Sequence, residues 1–106
     1  MSAEQDLYEK QSRDDIIAMV IEISRIAAQI EAAAKAARPV PISTKEYLKK
    51  ISTAMAACQS VLDEHMQGDK FSDATIRTVA KALENIHHSI DSLVLFAAMD
   101  DIRRQG

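Results

Sequence analysis

Residues 73–104 read DATIRTVAKALENIHHSIDSLVLFAAMDDIRR, and within them Ile76, Val79, Leu83, Ile86, Ile90, Leu93 and Ala97 recur at steps of three and four. That is the period of one face of an α-helix, and no Gly or Pro interrupts it. At helical rise the segment is about 48 Å long. Ser72 stands where an N-cap belongs, and Phe71 with Ile76 occupies the two positions of a hydrophobic staple. The sequence predicts one long helix over about 73–104.

Two further segments lie upstream, divided by the only internal Gly, Gly68, and by Arg38-Pro39-Val40-Pro41. The middle one opens on a capping box, Ser43 with Glu46, and a staple, Ile42 with Tyr47. Leu48, Ile51, Met55, Cys58 and Leu62 form its apolar stripe, and Gly68 is placed to take a left-handed terminal conformation. The sequence predicts a helix over about 44–67. In the first segment Ile16, Val20, Ile23, Ala27, Ile30, Ala34 and Ala37 alternate four and three, as in a heptad seam. A helix is predicted over about 13–37, with Pro39 ending it. Residues 1–12 carry little apolar content and read as a lead-in open to fraying.

Acid-first pairs at i, i+4 decorate the outer faces: Glu9–Arg13, Glu31–Lys35, Glu46–Lys50, Asp73–Arg77 and Asp100–Arg104. Short connections between long helices favour antiparallel neighbours. The expected fold is one all-α domain spanning residues 1–106, an up-down-up three-helix antiparallel bundle with long first and third helices. It sets the Ala-rich end of the first helix beside the bulky end of the third.

Composition narrows the function. The chain has 106 residues, 16 acidic and 13 basic, for a net charge of −3, with two Gly, two Pro, one Cys and no Trp. A chain this size buries roughly 65% of its unfolded surface, enough for a single core. A lone Cys excludes an internal disulfide or a Cys-based zinc site. No apolar run approaches the ~20 residues of a membrane span, and the polar, acidic start does not resemble a secretory signal. A cytoplasmic protein is expected. Lys45, Lys49 and Lys50 are the densest cationic cluster, and the four aromatics offer few stacking platforms, which argues against nucleic acid.

The apolar surface exceeds what one bundle uses. Leu95, Met99 and Ile102 form a second line on the third helix, with Phe96 between the two faces. Ile17 and Ile21 form a shorter second line on the first helix. Contiguous apolar patches mark partner surfaces. Ile17, Ile21, Leu95, Phe96, Met99 and Ile102 are therefore the expected partner-binding residues. A two-fold antiparallel homodimer places one line against the other.

Candidate chemistry is thin. Glu84-Asn85-Ile86-His87 is a Glu-x-x-His pattern, which a homodimer would duplicate and Glu22 or Glu31 would complete as a metal-binding bundle. The plainer reading is that Glu84 and His87 are solvated flank residues. Ser89-Ile90-Asp91 lacks the Lys and Gly expected beside a phosphotransfer histidine at His88. Cys58 holds a core position, and His65 is too far along the helix to activate it.

The sequence thus predicts a non-enzymatic protein–protein interaction module of regulator, chaperone or inhibitor type. It self-associates, binds another protein, and needs no cofactor, metal or catalytic residue. A homodimeric metal-binding bundle and a nucleic-acid-binding regulator are the alternatives.

Overall fold

The computed structural model describes residues 3–105, and the side chains of residues 3–99. Three helices form an antiparallel up-down-up bundle: α1 (Ala3–Lys35), α2 (Thr44–Gly68) and α3 (Asp73–Gln105). The molecule is a rod, 59 × 20 × 18 Å. α1 and α3 run in the same direction and make the most extensive helix–helix contact. No described helix is long and apolar enough to cross a membrane.

The ends of the helices follow local chemistry. Ser43 Oγ accepts the amide of Glu46 at 3.1 Å, which caps α2. Ile42 packs against the core and Tyr47 is buried, so the staple closes. At α3, Ser72 Oγ accepts the Thr75 amide at 3.3 Å. α1 ends in a Schellman motif: the Arg38 amide donates to Ala33 O at 2.9 Å and the Ala37 amide to Ala34 O at 3.3 Å. Ala37 therefore takes the left-handed conformation, φ 53°, and α1 stops two residues earlier than the apolar spacing suggested. At the end of α2 the expected role of Gly68 passes to its neighbour. Gly68 stays helical, while Asp69 adopts φ 49°, ψ 48° and donates its amide to His65 O at 2.7 Å.

Residues 3–12 are helical and anchored. Gln5 Nε2 donates to Lys70 O at 3.0 Å, and Tyr8 OH donates to the Glu64 carboxylate at 2.8 Å. Glu9 turns inward and is buried. Its Oε1 accepts from Ser72 Oγ (2.6 Å), Thr75 Oγ1 (2.6 Å) and the Ser72 amide (2.9 Å). A carboxylate from α1 thus caps the N-terminus of α3, where the helix dipole favours negative charge. The Ser72 hydroxyl first, then the Thr75 hydroxyl and the Ser72 amide, hold the Glu9 carboxyl below the ordinary glutamate range, against the opposing effect of burial.

The core seams differ from the apolar lines of the sequence by about one residue on two helices. On α2 the buried line is Tyr47, Ile51, Ala54, Cys58 and Val61. Leu48 and Met55 are exposed, at 48% and 37%. On α3 it runs through Thr75, Val79, Ala82, Ile86, Ser89 and Phe96, with Ile76, Leu83, Ile90 and Leu93 half-buried beside it. Tyr47 fixes the rotation of α2. It has no exposed surface, and its hydroxyl donates to Ser89 O at 3.2 Å across to α3. Small residues at 82 and 89 let the helices approach closely, which pushes the bulkier neighbours to the flanks.

Two predictions follow from the helix ends. Gly68→Ala meets open space in a helical position, and Ala37→Gly relieves a left-handed alanine. Each raises stability in urea unfolding by about 0.5–1 kcal/mol. Glu9→Ala removes the acceptor of three hydrogen bonds and lowers stability by about 2–3 kcal/mol. Because the Glu9 pKa is depressed by folding, its stabilisation is complete above the unfolded value of about 4.3 and fades as pH falls through the folded value. Glu9→Gln flattens the loss of stability below about pH 4.3, read from urea midpoints against pH.

Candidate interaction surface between α1 and α3

A groove beside an exposed apolar cluster lies between α1 and α3. It has a volume of about 500 Å³. Ile17, Ile21, Ala74 and Thr78 contribute to its lining, and Arg77 and Lys81 contribute cations. Ile17 and Ile21 are exposed, Ile21 at 62%. They face outward because Ile16, Val20 and Ile23 take the core side of the same turns. Lys81 pairs only loosely with Glu84, at 3.8 Å.

Further along the same helix pair, Ser24, Ala28 and Glu31 share a shallow groove with Asn85, His88 and Ser92. Three residues beyond Ser92 lies Leu95, and four more bring Met99. On α3, Ala74, Thr78, Lys81, Asn85, His88, Ser92, Leu95 and Met99 are one unbroken line of fours and threes. The two apolar patches expected from the sequence therefore lie toward opposite ends of one face.

The expected partner residues are not all on that face. Ile17, Ile21 and Leu95 are exposed, and Met99 is half-buried. Phe96 is different: at 2% exposure it belongs to the intramolecular core, so its expected place on the partner surface is corrected. The reason is the one-residue rotation of α3, which brings Phe96 into line with Ser89 and Ile86. The side chain of Ile102 lies outside the described residues. Val94 was missed by the sequence reasoning and is 67% exposed. Its signal was present in Leu93-Val94-Leu95-Phe96, a run that leaves no polar side to the helix.

The other candidate groups do not converge. Glu84 and His87 are exposed, and Glu84 lies beside Lys81. Among the described residues, no three His, Cys, Asp or Glu side chains gather in a way that suits a metal ion. Cys58 is fully buried, and burial pushes its thiol pKa up, away from nucleophilic use. His65 Nδ1 accepts the Phe71 amide at 3.2 Å and ties down the α2–α3 turn. Lys50 does not pair along its own helix. It bonds Glu22 of α1 at 2.9 Å, and that lysine also holds the Glu22 carboxyl below its usual range. Lys49 and Lys50 share a groove of about 390 Å³ with Glu22 and Glu46, which dilutes the cationic cluster for an anionic partner.

The assignment of neighbours at 94 to 96 is testable. Phe96→Ala costs about 3–5 kcal/mol in urea unfolding, as a core truncation, while Val94→Ala changes stability by no more than about 0.5 kcal/mol.

The chain matches no protein-family model, no curated protein and no solved structure.

Proposed function

We propose that the chain is a small, non-enzymatic protein–protein interaction module of the cytoplasm, acting through the α1/α3 face. One observation carries this: exposed Ile17 and Ile21 flank a groove between two helices, rimmed by Arg77 and Lys81. A solvated helix face has no need of two adjacent isoleucines, and exposed apolar patches of this kind mark contact surfaces. The mode is helix-face recognition, in which apolar side chains seat between helices and flanking charges set orientation. Leu95 and Met99 supply a second anchor on the same face. Regulator, chaperone and inhibitor roles all use such a surface, and both self-association and capture of another protein are within its chemistry.

The buried groups support a structural role for the interior. Glu9, Tyr47 and Thr75 each bond a partner inside the fold. Among the described residues, no buried side-chain nitrogen or oxygen is left unbonded. The interior polar groups are thus occupied with holding helices together.

Leu95→Asp combined with Met99→Asp tests the proposal. The double variant keeps its helical content by circular dichroism and loses association, measured by native mass spectrometry of protein purified gently from its own host. Ile17→Asp with Ile21→Asp gives the same pair of results. Unfolding of either double variant assigns those residues to the core and overturns the proposal.

A further inference from the structure

We infer that the occupant of the α1/α3 face is a second copy of this chain, docked antiparallel about a two-fold axis near the level of Ala28 and His88. The inference rests on the interaction reading above and names its partner. The first ground is the placement of the apolar clusters. Ile17 and Ile21 share a groove with Thr78 and Lys81, whereas Leu95 and Met99 lie roughly 25 Å further along α3 at helical rise. A two-fold axis perpendicular to the bundle brings one end of the face over the other, so each cluster covers the other twice.

Charge is the second ground. Arg77 and Lys81 are cations at the Ile17/Ile21 end. Glu31, beside the His88–Ser92 groove, and exposed Asp91 are acids toward the Leu95 end. An antiparallel copy about that axis brings Lys81 to within roughly 6 Å, along the helix, of the level of Glu31 and Asp91 in the second copy. A parallel copy would instead gather Arg77 and Lys81 of both chains at one end of the interface and Glu31 and Asp91 of both at the other.

Shape and size are the third. Ser24 and Ala28 make the middle of the α1 line small, which allows close approach of two helix pairs. The face from Ala74 to Met99 is roughly 38 Å long at helical rise. With a bundle 18–20 Å across, it offers roughly 700 Å² per copy, close to the ~800 Å² of a standard interface.

Disulfide trapping of single-cysteine variants tests the arrangement, since native Cys58 is buried. Ile21→Cys and Leu95→Cys chains are mixed and mildly oxidised. The expected product is the mixed disulfide, in several-fold excess over either symmetric one, and wild-type protein runs as a homodimer in native mass spectrometry. Lys81→Glu weakens the dimer by tenfold or more, and mixing it with a Glu31→Lys, Asp91→Lys chain recovers association as a heterodimer. Predominance of the symmetric Ile21→Cys disulfide overturns the antiparallel arrangement. A wild-type monomer overturns the second copy as occupant. If that monomer binds another protein and Ile17→Asp with Ile21→Asp abolishes the binding, the interaction reading stands; if the binding is unchanged, both fall.

Discussion

The arrangement of this bundle depends on the carboxylate of Glu9. A buried anion is costly unless its lone pairs are filled, and here two hydroxyls and an amide fill them. All three donors come from the first turn of α3 and its cap. The bond set is short-range and directional, so it fixes α1 against α3 both along and around the helix axes. Apolar packing alone tolerates sliding by a turn. With Glu9 seated, Ile17 comes level with the Ala74–Thr78 turn, and the groove between them takes its shape. The lead-in is thereby part of the fold, and the α1/α3 groove inherits its geometry.

α2 is held differently. Tyr47 reaches across the core to Ser89 O, and Lys50 reaches Glu22 on the surface. The first contact is buried and sets rotation. The second is exposed and adds little stability in solvent. Together with the α2–α3 turn, where His65 accepts the Phe71 amide, these contacts leave the α1/α3 face as the side that α2 does not cover.

Helix number and order were legible because Pro, Gly and capping residues punctuate the chain plainly, whereas α1, expected to start near residue 13, begins at Ala3, because its first turns carry few apolar residues to mark them. The lines of the core were legible only in part. Ile51 and Cys58 belong both to the bulky line through Leu48, Met55 and Leu62 and to the true line through Tyr47, Ala54 and Val61. Counting hydrophobic mass selects the first; helix–helix approach distance selects the second, since Ala54 fits where Met55 does not. The same ambiguity on α3 hid Ser89 and Ala82, and it misplaced Phe96. Glu9 was read as a surface partner of Arg13 because nothing local marks a carboxylate that bonds residues more than sixty positions away. The Ile17/Ile21 patch was legible because β-branched residues flanking a clear seam have no intramolecular place to go.

A rod of three helices has one thin core and much flank. At 18–20 Å across, it has room for a single layer of interior side chains. Any bulky residue displaced from that layer ends half-covered, as Leu83, Ile90 and Leu93 do, or exposed, as Val94 and Leu95 do. The chain nevertheless places small residues, Ala82, Ser89 and Ser92, in the interior of α3 beside Val79, Ile86 and Phe96, and leaves Leu83, Ile90, Val94 and Leu95 on its flanks. Larger side chains at 82 and 89 would hold α3 off its neighbours, so the bulky residues are left to the flanks. Leu83, Ile90 and Leu93 are covered in part by the core, and those left exposed are available to a contact. Leu95 lies on the α1/α3 side, where the flank is apolar at both ends and small in the middle, while Leu83, Ile90 and Val94 lie on the opposite flank of α3.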